Sequence, residues 1–143
     1  MLKNINYQVN HFKVQNTKDV FPKECELWYA DLGYDNNHLQ HGIRPVLIHS
    51  NNQNNKYSPI VNIFALTSKV NKYLPVHVLI HSNKINGLKE DSMILIEQNI
   101  TLDKSKLIKK IGVVDDIKMR EVDEKICTQT PSLYRYIQSL LKN

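Results

Sequence analysis

The chain has 143 residues, 41% of them hydrophobic and 23% charged, with a formal net charge of +5. That is one domain's worth of sequence, long enough to bury a core, and no apolar run approaches the roughly 18 residues of a bilayer-spanning helix. The first residues lack the apolar core and cleavage site of a secretory signal. Cys25 and Cys127 fit neither a metal spacing nor a disulfide framework, so a cytoplasmic location with no membrane partner is expected and the positive balance favours a polyanion.

Residues 1 to 22 read as an extension, polar and Asn-rich, with Tyr7, Val9, Phe12 and Val14 spaced as if one face could pack, and Pro22 as punctuation. From Glu26 the pattern changes. Leu27 to Leu32 predicts an aromatic-rich strand, Gly33 to Gly42 a polar loop, and Ile43 to Ser50 a second strand. Asn51 to Lys56, nearly all Asn and Gln, predicts a turn. Pro59 to Leu66 and Pro75 to His81 are the third and fourth strands. Asn86-Gly87 carries turn chemistry, Ser92 to Glu97 is a fifth strand, and Ile108 to Val114 a last short one. Short strands at this spacing, without long helices between them, predict a small antiparallel barrel or sandwich.

Helices come late. Asp115 caps a helix from Asp116 to about Cys127, with Val114 stapled to Met119, and Met119, Val122 and Ile126 on one face. Pro131 opens a second helix, Ser132 to Leu141, aligning Leu133, Ile137 and Leu140/Leu141. The chain therefore divides into an extension (1–22), a barrel domain with its helix (23–128) and a helical tail (129–143).

Chemistry gathers where strands meet loops: His41-Gly42-Ile43-Arg44-Pro45, Thr67-Ser68-Lys69 and His77. Arg44 offers a rigid positive fork for phosphate oxygens, and the hydroxyls and imidazole offer hydrogen bonds and proton transfer, which points to RNA cleavage. A guanidinium stabilises charge on the equatorial oxygens of a phosphorane-like transition state but is no general base, so the base is unassigned. Thr67 brings a hydroxyl and a nearby backbone N–H to the phosphate, with Ser68 and Lys69 as further contacts. Alternation sets His77 opposite Val76 and Val78, facing outward if they face inward. His49 and His81 read as polar caps at strand ends, while His38 and His41 lie in the loop. No His pair has metal spacing, and neither metal nor cofactor is expected. Trp28, Tyr29, Tyr34 and Tyr57 could stack on bases, with Trp28 and Tyr29 better suited to packing. Lys104, Lys106, Lys109 and Lys110 form a solvated face or, alternatively, a phosphate contact.

Several segments resemble the MazF/PemK toxin family, in the family's order. They are Leu27-Trp28-Tyr29-Ala30-Asp31-Leu32, Gly42-Ile43-Arg44-Pro45-Val46-Leu47-Ile48, Asn55-Lys56-Tyr57-Ser58-Pro59 and Ala65-Leu66-Thr67-Ser68-Lys69. Leu74-Pro75-Val76-His77-Val78, Asp91 to Gln98, Thr101 to Ser105, and Ile111-Gly112 followed by Met119 and Val122-Asp123 continue the series. The resemblance implies a mainly β fold with a C-terminal helix, a small SH3-like antiparallel β-barrel of five to seven strands, acting as a homodimer. It implies a metal-independent endoribonuclease, an mRNA interferase that cuts single-stranded RNA at short sequences to leave a 2′,3′-cyclic phosphate and a 5′-hydroxyl. A cognate antitoxin with an acidic C-terminal segment would silence it and could carry it to operator DNA. Carried over by position, Arg44 and Thr67 are the catalytic pair, and Gln40, His41, Ser68, Lys69, His77 and Gln98 the RNA-binding set.

The chain departs from the family pattern in three places. Cys25-Glu26 stand where Gly-Asp is usual, Leu39-Gln40-His41-Gly42 replace Glu-Gln-Gly-Gly, and Glu97-Gln98-Asn99-Ile100-Thr101-Leu102-Asp103 replace Glu-Gln-Ile-Arg-Thr-Ile-Asp, with loss of a basic residue. The rival readings are a gyrase poison like CcdB, which lacks the Arg/Thr pair and ends in Trp-Gly-Ile, and a catalytically inactive dimer kept for regulation. This chain keeps Arg44 and Thr67 and ends Leu140-Leu141-Lys142-Asn143.

Overall fold

Six strands and three helices follow one another along the chain in a computed structural model that describes residues 21–34, 37–70 and 73–142. The expected packing face of Tyr7, Val9, Phe12 and Val14 lies outside the described residues. Strands β1 (Glu26–Asp31), β2 (Ile43–Ile48), β3 (Ile60–Thr67), β4 (His77–Ile80), β5 (Ser92–Asp103) and β6 (Leu107–Val113) form one antiparallel sheet in the order β4-β5-β3-β2-β1-β6. Helix α1 (Asn52–Tyr57) lies between β2 and β3, and helices α2 (Asp116–Gln129) and α3 (Pro131–Leu141) follow the sheet. This is the mainly β architecture that the strand spacing predicts, with the C-terminal helices that the caps and apolar spacing predict.

Alternation along the strands builds two cores, one on each face of the sheet. Leu27, Leu47, Phe64, Leu66, Val78, Ile94 and Ile96 form one, closed by Val122 of α2 with Met119 and Ile126 beside it. Ala30, Val46, Ile48, Val61, Ile63 and Leu102 form the other, flanked by Trp28, Leu32, Ile100 and Leu107. Val122 is the one fully buried residue of α2, and burying such a side chain contributes about 1.5–3 kcal/mol, enough to seat an otherwise polar helix. Its start is capped as the sequence predicts: the Asp115 carboxylate accepts the Lys118 N–H at 2.9 Å.

A break in β5 explains how one strand serves both cores. Ile94 pairs with Leu66 and Asn99 with Phe64, so five steps along β5 answer two along β3. The odd excess exchanges the faces, so Ile94 and Ile96 join the first core and Ile100 and Leu102 the second. The strand predicted to stop at Glu97 therefore continues to Asp103. Gln98 and Asn99 look like a strand end because the alternation fails there, yet the chain stays extended through the bulge.

The Asn-rich segment is also a correction, being a short helix rather than a turn. The Asn51 side chain accepts the Asn54 N–H at 2.8 Å, the bond of a helix N-cap. Asn55 is fully buried, and its side chain bonds the Ser50 backbone and hydroxyl. Elsewhere, the 81–88 connection presses on β6, where the Val113 N–H donates to the Ile85 carbonyl at 3.1 Å. A Cβ on Gly112 would lie 2.3 Å from that same carbonyl oxygen, and one on Gly87 2.3 Å from the Ile111 oxygen. The contact that draws β4 toward β6 therefore requires glycine on both sides. In α3, Leu133 and Ile137 are half-buried, whereas Leu140 and Leu141 are exposed.

Candidate active site

Thr67, the last residue of β3, is the point where two clefts meet. One, of about 290 Å³, is lined by Arg44, Thr67, Ser68, Tyr29, Lys89 and Glu90, among others. The other, of about 880 Å³, is lined by Thr67, Lys69, His38, Gln40, His77, Glu97 and Gln98, among others. The catalytic pair expected from the sequence thus shares the smaller cleft, and four of the six expected RNA contacts line the larger.

Each side chain is placed by a local feature. Arg44 is the second residue of β2, opposite Ala30 of β1, and its Nε–H donates to the His41 carbonyl at 3.0 Å. That bond fixes the guanidinium against the loop and leaves its terminal nitrogens for an anion. Thr67 is 7% exposed, and its Oγ1 accepts the Lys69 N–H at 3.2 Å, which orients the hydroxyl. Ser68, just past the strand, turns to the Arg44 side, and Lys69 to the other. His41 supplies its carbonyl to Arg44; its side chain is exposed and lines neither cleft.

Gln98 acts as a clamp. Its side-chain oxygen accepts the Gln40 N–H at 2.9 Å, and its amide donates to the His38 carbonyl at 3.2 Å. The segment carrying His38 to His41 is therefore pinned to β5.

His77 departs from the expectation of an outward-facing ring. It is 5% exposed, as buried as its neighbour Val78 is expected to be. Nδ1 accepts the Leu74 N–H at 3.2 Å, and Nε2 lies 2.7 Å from Glu97 Oε1. A polar ring tolerates that burial because both its nitrogens are bonded. Glu97, absent from the predicted set, stands within the register break of β5. The signal that could have pointed to it is the lapse of alternation after Ile96. Tyr29, expected in packing, lines the Arg44 cleft with Lys89 Nζ 6.0 Å from its ring.

The remaining candidates serve structure. Trp28 packs in the second core, and its indole N–H donates to Glu26 at 3.1 Å. His49 stacks on Phe64 with ring centroids 3.9 Å apart and bonds Asn99 at 2.9 Å, and burial lowers its pKa. His81 pairs with Asp91 at 3.0 Å. Lys110 is not merely a solvated charge: its ammonium meets Glu26 at 2.7 Å. Among the described residues no three His, Cys, Asp or Glu side chains converge as a metal-ligand group, and no helix is long and apolar enough to cross a membrane.

The sequence pattern of the PemK-like, MazF-like toxins of type II toxin–antitoxin systems matches residues 23–130. The chain belongs to that family. It is 44% identical over 102 residues to the endoribonuclease MazF of Staphylococcus saprophyticus, covering 71% of this chain and 84% of the relative. A mycobacterial endoribonuclease solved with its cognate antitoxin is similar at 25% identity and a TM-score of 0.62, covering 75% of this chain and 92% of that one. Deinococcus radiodurans MazF shares the fold, with a TM-score of 0.67 at 20% identity over 78% of this chain and 97% of that one. Within this family, the β2 start and the β3 end of the present chain are the positions that bring Arg44 and Thr67 to one cleft.

Proposed function

We propose that this chain is an endoribonuclease toxin that cuts single-stranded RNA and is held inactive by a cognate antitoxin. The observation that carries the reading is the convergence of Arg44 and Thr67 on one cleft in a chain 44% identical to an endoribonuclease. The ribose 2′-hydroxyl attacks the adjacent phosphorus, charge builds on the equatorial oxygens, and the guanidinium of Arg44 stabilises it. The Thr67 hydroxyl, oriented by the Lys69 N–H, holds the scissile phosphate, with Ser68 beside it. Lys69, Gln40 and His77 line the continuing path of the strand, while Gln98 and the His41 carbonyl hold the loop and Arg44 in place. Residues 1–22 and 129–143 are additions to the barrel domain. The protein works in the cytoplasm as a homodimer, and the antitoxin links it to operator DNA.

The test is incubation of purified protein with single-stranded RNA in excess EDTA, followed by analysis of the ends. Fragments with 5′-hydroxyl and 2′,3′-cyclic phosphate termini are expected. Cutting that needs a divalent ion, 5′-phosphate ends, or induction that breaks DNA and leaves RNA intact would overturn the reading.

A further inference from the structure

The connection between β4 and β5 supplies one wall of the Arg44 cleft, and it is a braced turn. At its centre Asn86 is 1% exposed. The Asn86 side-chain oxygen accepts the Asn83 N–H at 3.1 Å and the Leu88 N–H at 3.0 Å, and its amide donates to the His81 carbonyl at 2.8 Å. The Ile85 carbonyl ties the turn to β6 by accepting the Val113 N–H. Leu88 then enters the first core, and the buried Ser92 donates its hydroxyl to the Glu90 carbonyl at 2.9 Å. Residues 89–91 are thus held between two buried anchors, so a side chain mounted there is placed before any ligand arrives.

Three charged side chains stand on that span. The Asp91 carboxylate is engaged elsewhere: it accepts the Ser82 N–H at 2.9 Å, meets His81 at 3.0 Å and does not line the cleft. Lys89 and Glu90 do line it, and no ion pair joins Lys89 to an acid among the described residues. The Lys89 ammonium lies 6.0 Å from the centre of the Tyr29 ring, a weak cation–π contact that stations the charge without neutralising it. Tyr29 pairs with Pro45, the neighbour of Arg44 on β2, so the ring beneath Lys89 stands one register from the guanidinium. The cleft therefore holds a second cation beside Arg44, one that the chemistry at the scissile phosphate does not use.

We propose that Lys89 is a further RNA-binding residue of this cleft, its ammonium holding a non-bridging oxygen of a phosphate next to the scissile one. The assignment rests on the Arg44/Thr67 cleft being where the strand is cut. A strand seated with one phosphate at Arg44 carries a like charge at the next linkage, and on this wall Lys89 is the cation that can meet it. A lysine ammonium is a compact point charge without the planar fork of arginine, which suits a linkage that is held but does not react. That linkage is the same before and during the reaction, so the contact contributes to binding and not to the chemical step.

The experiment uses a short RNA spanning a cut mapped by sequencing fragment ends. It carries a 2′-deoxyribose at the cut, so that it binds without reacting, and a neutral methylphosphonate at one linkage at a time. Binding by wild type and Lys89→Ala closes a double-mutant cycle at each linkage. Lys89→Ala should weaken the unmodified RNA about threefold to tenfold. It should also lower the slope of log affinity against log salt by about 0.7, the share of one phosphate on a single strand. Neutralising one of the two linkages that flank the cut should cost wild type a similar factor and leave Lys89→Ala within about twofold, while losses at other linkages add. Lys89→Arg, which keeps the charge, should keep that coupling. With the all-ribose RNA, the loss in Lys89→Ala should appear in KM rather than in kcat. Losses that add at both flanking linkages overturn the proposal, as does equal coupling at every linkage, a coupling that Lys89→Arg abolishes, or a loss confined to kcat. If Arg44→Ala is inactive while the Lys89 cycles are additive, only the role of Lys89 fails; if Arg44→Ala still cuts, the site itself is misassigned.

Discussion

Glu26 and Lys110 close a 2.7 Å ion pair between β1 and β6, the carboxylate buried and the ammonium half in solvent. Burial pushes the Glu26 pKa up, but the Lys110 hydrogen bond, the Lys23 N–H and the Trp28 indole together hold it below the ordinary value. A carboxyl lowered in the folded state stabilises the fold above its unfolded pKa, about 4.3, and loses that contribution as pH falls through the lowered folded value. Glu26→Gln should therefore destabilise the protein by roughly 1–3 kcal/mol at neutral pH, the cost of stranding a partly exposed partner. Thermal melts as a function of pH check this. The gap between variant and wild type should narrow below about pH 4, and a gap independent of pH would assign the loss to packing instead.

Cys25 has φ of 69°, the left-handed conformation that costs an L-residue roughly 1–2 kcal/mol. The chain is held in that turn from both sides: the Cys25 N–H donates to Ile48 O at 3.0 Å, and Cys25 O accepts the Val114 N–H at 2.9 Å. This is where the family pattern has glycine, which adopts the conformation freely. Cys25→Gly should raise the melting temperature by the equivalent of about 1 kcal/mol, the relief of strain less the extra freedom of an unfolded glycine. A variant less stable than wild type would mean that the half-buried thiol contributes more by packing than its backbone loses.

Removing a preorganised transition-state donor costs about 10²–10³ in rate, so Arg44→Ala should fold normally and lose cleavage by at least about 10². Arg44→Lys should be nearly as poor. An ammonium cannot donate to the His41 carbonyl and present a planar fork to phosphate at the same time. Near-native cutting by either variant, measured on a labelled RNA, would remove Arg44 from the mechanism.

That Arg44 and Thr67 line one cleft was legible in part because each stands at an end of a continuous apolar run, and such junctions expose polar side chains beside a rigid sheet. The same local rule misjudged His77. Its burial depends on Glu97 and Leu74 arriving as partners, and no period within β4 encodes those contacts. Glu97 and the far half of β5 were hidden for a related reason. A bulge that exchanges the faces of a strand erases the alternation by which strands are read, and its position is set by pairing with β3. The Asn-rich helix α1 was missed because composition favours a turn, while the deciding bond is one Asn51 cap. The late helices were legible because their caps and apolar spacing are local.

The last prediction concerns the antitoxin. A toxin of this family must be silenced until needed, and the mycobacterial relative is solved with its cognate antitoxin. Arg44, Lys69 and Lys89 line the two clefts that meet at Thr67, so an extended acidic segment can occupy the path proposed for the RNA backbone. We expect a neighbouring gene to encode a small protein with an acidic, disordered C-terminal segment that orders on binding across the 33–42 loop and the Arg44 cleft. Its affinity should fall as salt rises, because part of the attraction is between opposite charges. Competition binding with fluorescent RNA checks the geometry: the peptide should displace RNA, and Arg44→Ala or Lys69→Ala should weaken both ligands. A ternary complex with RNA and peptide in the same groove, or inhibition that leaves RNA binding intact, would place the antitoxin elsewhere on the protein.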